Sequence, residues 1–420
     1  MKRCKIESSV IVFNVEGQEG EIVVPMEKLL MEHTALDALR RLDFPVATDT
    51  PVMRTSVPRY FATIQVLRGV AALLVVLFHL VDAERIYGRG PMLLDGIARL
   101  GFAGVDVFFV ISGFVMVSVT QGLYGLPKNA ALFLGRRVAR IYPMYWLFTT
   151  VIVLMMLVMP HAVDPSFFAK SKLASYLLWP TGALPILQVG WTLTYEMFFY
   201  LVIAAGIAML RERWVPLLLA GWAVAVLLAQ SLTPTHPWQA VVTSPMAWEF
   251  IAGGLIAAYW RKLPAAAGRP VLWLGVAAFL LGAVVLSRMN LVEQDAMRRT
   301  LVFGAASALI VLGLVSREGA GQFAPHRALR AVGDASYSLY LSHLFVITLL
   351  ARLWGRTGYN GTLLDHAAFV VIAVLCSTAV ALVSYAVVER PAVRWLEGFF
   401  RPVRRARGEC APTATAAQRP

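Results

Sequence analysis

Arg68 and His79 lie inside one apolar stretch, Phe61 to Val81, FATIQVLRGVAALLVVLFHLV. The stretch is apolar enough to cross a bilayer, and hydrocarbon makes both side chains costly. An ionisable group in such a span is a functional candidate by default. At 1.5 Å of rise per residue the two lie about 16 Å apart along a helix, roughly half the thickness of a hydrocarbon core. A cation at one depth can hold an anionic cofactor, and an imidazole at another can do acid–base work at its far end.

Other stretches repeat the pattern. RRVARIYP carries Arg137 and Arg140, three residues apart and so on one helix face. Pro143 follows them and suits a first helical turn. ERP carries Arg390, GVDVFFVISGF carries Asp106, GWTLTYEMFFY carries Trp191 and Glu196, and SYSLYLSHLF carries His343. Glu249 stands in a further apolar run. Each also has a plainer reading: arginines at span ends mark a cytoplasmic loop, and a lone carboxylate or histidine can be a partner between helices.

The elements that must position these groups follow from composition. Of 420 residues, 58% are hydrophobic and 15% charged, and mean hydropathy is +0.67. A soluble domain is nearer half apolar and a quarter charged, so the expected class is an all-α integral membrane protein. Apolar runs at 62–82, 100–119, 141–160, 191–210, 213–230, 241–260, 271–288, 300–316, 335–354 and 366–388 predict about ten transmembrane helices. The net charge of +13 resides in short loops, which topology explains better than nucleic acid does. One alternate set of loops holds Lys128, Arg136, Arg137, Arg140, Arg211, Arg213, Arg261, Lys262, Arg269, Arg317, Arg327 and Arg330, and the other set, which includes Arg298 and Arg299, is poorer. Both termini are therefore expected in the cytoplasm. Cys4, Cys376 and Cys410 have neither metal nor disulfide spacing, and no metal site is expected. Tyr142, Tyr145, Trp146 and Trp191 read as interfacial anchors. Gly101, Gly104, Gly113, Gly253 and Gly254 read as close helix contacts.

Three segments result. Residues 1–55 are polar, with a strand expected at Val10–Val15 and an amphipathic helix at Met26–Leu42; Met53 is a natural start, which leaves the native status of 1–52 open. Residues 56–392 form the membrane domain, and the basic tail 393–420 is expected to be disordered. With the termini inside, Arg68, Arg137, Arg140 and Arg390 form a cytoplasmic-side basic layer. His79, Asp106 and Glu196 fall in the outer half, with His343 and Glu249 near mid-span.

The phrases LRGVAALLVVLFH, GVDVFFVISGFVM, RRVARIYPMYW, GWTLTYEMFFYL, FIAGGLIA, ASYSLYLSHLFV and ERP occur in this order. Together they resemble membrane acyltransferase family three, from about Ile64 to Pro391. The resemblance implies a stand-alone member similar to exopolysaccharide and Nod-factor O-acetyltransferases, multi-pass in the bacterial inner membrane. It implies transfer of an acyl group, typically acetyl, from cytoplasmic acyl-CoA to an exopolysaccharide, lipopolysaccharide or lipo-oligosaccharide acceptor. Arg68 and His79 take the family's essential pair. Arg137 and Arg140 take its acyl-CoA-binding arginines, with Arg390 beside them. Glu196 takes the acidic position of the fourth phrase, although threonine and tyrosine stand where many members have serine. His79 is then the general base or the transient acyl acceptor, oriented by Glu196 or Asp106, while His343, Trp191 and Glu249 are candidates for the acceptor side. The competing reading is a transporter or flippase of a lipid-linked glycan, for which buried charges and glycine-rich helices are also suitable.

Overall fold

A computed structural model describes residues 3–7, 10–14, 21–25 and 61–400, apart from 95, 290–294 and 323–324. The chain divides into two compact units, Met1–Val57 and Pro58–Pro420. The first contains an antiparallel meander of β1 (Arg3–Glu7), β2 (Val10–Asn14) and β3 (Glu21–Pro25) in the order 1-2-3. Pairing runs from Arg3 opposite Asn14 and from Val10 opposite Pro25. The expected strand is therefore the centre of a small sheet, an addition to the all-α expectation. The helix expected at 26–42, the start at Met53 and the tail from Arg401 lie outside the described residues.

The second unit is helical, with ten helices long and apolar enough to cross a membrane. They are α1 (Ala62–Tyr87), α2 (Leu100–Thr120), α3 (Pro127–Val158), α4 (Gln188–Met209), α5 (Glu212–Ala229), α6 (Pro237–Lys262), α7 (Ala265–Leu286), α8 (Ala296–Gly319), α9 (Ser336–Thr357) and α10 (Leu363–Phe399). The protein is a multi-pass membrane protein. Helix α3 begins fourteen residues before its expected start, at Pro127, which occupies the first turn where a missing N–H costs nothing. Pro143 is therefore inside the helix, not at its start. At 32 residues α3 is about 48 Å long. That exceeds a hydrocarbon core of about 30 Å, so the helix reaches well beyond it.

Helix α1 is held at both ends by carboxylates. At its start, Glu318 at the end of α8 accepts the Ala62 and Thr63 amides, each at 2.8 Å, and the Thr63 hydroxyl. These are orphan donors of a helix N-terminus, where negative charge is favoured. Near its other end Glu84, 1% exposed, accepts from the Leu93 and Leu94 amides and meets His366 Nδ1 of α10 at 2.5 Å. His366 Nε2 in turn faces the carbonyls of Arg89 and Asn360. Arg68 and His79 are carried between these two clamps.

Helices α2 and α6 cross at close range. A side chain at Gly113 would collide with the Phe250 carbonyl, and one at Gly253 with the Val110 carbonyl. Small residues at both positions let the backbones touch, as the glycine pattern suggested. The core around this crossing includes Phe114, Phe199, Phe250 and Tyr145.

Between α3 and α4 the chain folds back into the bundle. The side chains expected to anchor the interface hold it there: Tyr145 donates to the Ser175 carbonyl (2.6 Å), Trp146 to Tyr176 (2.9 Å) and Tyr142 to Leu177 (3.1 Å). Irregular backbone is tolerated inside a membrane bundle only when its polar groups are paired in this way. Leu178 ends the short helix Lys172–Leu177 in the left-handed region, at φ 55°, a conformation uncommon outside glycine. Its side chain is buried, which offsets the backbone cost.

Candidate active site

Two cavities flank the middle of α1. The first, of about 480 Å³, is lined by Arg68 of α1, Arg137 and Arg140 of α3, Glu196 and Tyr200 of α4, and Tyr337 and Tyr340 of α9. The spacing of Arg137 and Arg140 delivers both to one wall, as expected of residues three apart on a helix. The Arg137 guanidinium lies over the rings of Phe133 (5.4 Å) and Tyr200 (5.9 Å), and its Nε is buried without a partner. Glu196 Oε1 accepts from Ser112 Oγ (3.0 Å) and from the Tyr200 hydroxyl. Glu397 also reaches this wall. Three guanidinium groups against two carboxylates leave the chamber net positive, suited to a polyanion.

The second cavity, of about 550 Å³, is lined by His79, Asp82, Asp164, Gln188, Thr348 and Arg352, with apolar side chains between them. Asp164 lies outside the spans; hydrogen bonds from Ser166 hold its carboxyl below the ordinary range. The His79 ring lies 5.1 Å from that of His343, and the His343 ring 6.1 Å from that of Tyr340. Tyr340 lines the arginine chamber, so Tyr340, His343 and His79 run through the wall from one cavity to the other. His343 is fully buried. Its Nδ1 lies 3.1 Å from the Leu339 carbonyl, which must accept, so Nδ1 carries the hydrogen. Nε2 is then a buried acceptor without a partner.

The sequence places Glu196 beside His79; it lies instead with the arginines. The inward fold before α4 is the reason. Val189 and Thr192 at the start of α4 are bonded to the Tyr340 hydroxyl, already level with the wall. Glu196 is one turn further on, toward Arg68. Asp106 does not meet His79 either. It is fully buried in a bidentate pair with Arg299, whose Nε and Nη2 lie 2.8–3.0 Å from the carboxylate oxygens. Arg299, read as a loop charge, belongs to α8, and its pairing with Asp106 is a contact that loop statistics do not reveal. Glu249 is buried against Gly304, with neither carboxyl oxygen hydrogen-bonded. Asp106 and Glu249 line neither chamber. Arg390 is exposed and lines neither chamber; the preceding Glu389 is buried and accepts from Ser338 Oγ at 2.7 Å. Trp191 lines a third cavity, outside both. The residues that sequence reasoning passed over are Glu84, His366, Arg299, Asp82 and Asp164. The first three were visible as ionisable groups in or beside apolar runs.

Among the described residues there is no group of three or more His, Cys, Asp or Glu able to hold a metal. The family model described as an acyltransferase domain matches residues 61–386. The exopolysaccharide production protein ExoZ of Rhizobium meliloti (strain 1021) is 32% identical over 309 residues, 70% of this chain and 90% of the relative. Nodulation protein 10 of Rhizobium leguminosarum bv. viciae is 28% identical over 332 residues, 69% of this chain and 82% of the relative. The peptidoglycan O-acetyltransferase OatA of Listeria monocytogenes is 25% identical over 332 residues, 69% of this chain and 50% of the relative. No solved structure matches.

Proposed function

The chain belongs to the acyltransferase family whose model spans residues 61–386, and from that premise we propose the reaction. The protein moves an acyl group, typically acetyl, from cytoplasmic acyl-CoA to a hydroxyl of a cell-envelope or exported carbohydrate. It works in the bacterial inner membrane with both termini in the cytoplasm. The observation that carries this reading is the pair of chambers, one lined by Arg68, Arg137 and Arg140 and the other by His79, sharing the wall of Tyr340 and His343.

Arg137 and Arg140 hold the donor's phosphates, where planar guanidinium groups give charge-assisted, bidentate contacts. Arg68 lines the same chamber, in which Glu196 accepts from Tyr200 and Ser112. His79 takes the proton from the acceptor hydroxyl as its oxygen attacks the thioester carbonyl. When the carbon–sulfur bond breaks, the departing sulfur receives that proton from the His79 imidazolium, leaving free thiol and ester. His343, fixed by its bond to Leu339, backs the His79 ring. Asp106, paired with Arg299, holds α2 against α8, and so supports the wall without touching the reactants.

The test is thiol release by the purified protein with acetyl-CoA and a carbohydrate extract of the producing cell. Wild type is expected to release thiol and label the carbohydrate, and His79→Ala to do neither while remaining folded. Wild-type rates in His79→Ala would remove the residue from the chemistry. Carbohydrate translocation without thiol release would instead favour a transporter.

A further inference from the structure

The segment that folds back between α3 and α4 forms two cavity walls, and only one belongs to the site described above. Ile186, Leu187 and Gln188 face the His79 chamber. The residues just before them, Trp179 to Pro185, line a separate groove of about 400 Å³, closed on its far side by Trp191, Thr194 and Tyr195 of α4 and by Pro237 of α6. The chain crosses from one wall to the other between Pro185 and Ile186, one Cα step of about 3.8 Å.

We propose that this groove is a subsite for neutral saccharide units of the acceptor, adjacent to the unit that is acylated. The inference rests on the acyl-transfer reading and extends it to a part of the protein that the mechanism does not use. Three observations carry it. No charged side chain lines the groove, in contrast to both chambers, so it is made for a neutral ligand. Its surface combines the indoles of Trp179 and Trp191 and the Tyr195 ring with the Thr194 hydroxyl and the Thr181 hydroxyl, which donates to the Ala183 carbonyl and keeps its oxygen as an acceptor. That pairing matches a sugar ring, whose C–H face lies on aromatic carbon while its hydroxyls find polar partners. Trp179 is 64% exposed at the rim, and the segment that presents it is fixed: Ser175 Oγ accepts from the Ile186 amide at 3.0 Å, and Lys170 Nζ donates to the Pro185 carbonyl at 3.3 Å. A rigid aromatic platform costs little ordering entropy on binding. The opposite lip begins at Pro237, where the exposed loop Ser231–His236, which carries Ser231, Thr233, Thr235 and His236, ends.

The experiment is binding of the full-length protein, in lipid nanodiscs and without acyl-CoA, to an array of neutral oligosaccharides of one to eight units. Three proteins are compared: wild type, Trp179→Ala, and Trp273→Ala as an exposed tryptophan outside the groove. Wild type and Trp273→Ala are expected to capture the same chains of two or more units, and Trp179→Ala to lose at least tenfold in affinity for them. Capture by Trp179→Ala equal to wild type, an equal loss in Trp273→Ala, or no capture by wild type would each overturn the proposal; the second would mark the indoles as bilayer anchors. Failure of the acyl-transfer reading shows separately, as absent thiol release by wild type.

Discussion

Replacing Glu84 with glutamine should loosen the far end of α1. Glu84 is 1% exposed and serves three donors: the amides of Leu93 and Leu94 at 2.5 and 2.9 Å, and His366 Nδ1 at 2.5 Å. Glutamine keeps one acceptor oxygen and turns an N–H₂ group toward positions that need acceptors. Removing one partner of a buried pair costs about 3–5 kcal/mol, much of it the stranded charge. Taking about 3 kcal/mol, at 1.4 kcal/mol per factor of ten, opening of the segment after α1 becomes roughly 100-fold more frequent. Amide hydrogen exchange reads this directly, because local opening sets the rate in such segments. In Glu84→Gln the Leu93 and Leu94 amides should exchange roughly 100-fold faster than in wild type, while amides at the α2–α6 crossing keep their rates. Adding His366→Gln should change little more, since residues of one network are not additive. Wild-type exchange at Leu93 and Leu94 in the single variant would refute the clamp.

Arg299→Met should lower stability by about 3–5 kcal/mol, because it leaves Asp106 charged and buried, and Arg299→Met with Asp106→Leu should recover much of the loss; thermal unfolding in detergent measures both. Gly253→Val drives a side chain into the Val110 carbonyl, so folded yield on size exclusion should fall sharply, since the α2–α6 crossing has no room to give. Glu196→Gln should lower the KM for acyl-CoA several-fold and leave the KM for the acceptor unchanged, because it removes a negative charge from the chamber of Arg68, Arg137 and Arg140 that would hold the donor's phosphates; steady-state kinetics with each substrate varied in turn separates the two.

The ten spans could be read because their signal is local: a run of apolar residues long enough for a bilayer needs no partner to be recognised. The same holds for Arg68, His79 and the Arg137–Arg140 face, each a short-range departure from an apolar pattern. Pairings were not legible. Asp106 and Arg299 are 193 residues apart, and Glu84 and His366 are 282 apart. Nothing in the neighbourhood of either member announces the other. Arg299 illustrates the cost: positive-inside reasoning treats every arginine near a span end as solvated, yet this one is inside the bundle because a carboxylate waits there.

The fold-back before α4 decided the largest difference between the sequence reading and the structure. Hydropathy treats Tyr176 to Trp179 as an ambiguous apolar patch, and it cannot tell a surface loop from one drawn inward. The distinction lies in Tyr142, Tyr145 and Trp146, three donors on one stretch of α3 that satisfy three consecutive carbonyls of the returning chain. With those carbonyls paired, Ser175, Leu178, Ile186 and Leu187 are buried against the bundle, and α4 starts level with Tyr340. Glu196 is thereby carried past the histidines to the arginines. The same inward chain supplies Leu187 and Gln188 to the His79 chamber and Trp179 to the neighbouring groove. One set of aromatic hydrogen bonds on α3 therefore fixes which carboxylate shares a chamber with which cation, and which residues line the His79 chamber and which the neighbouring groove.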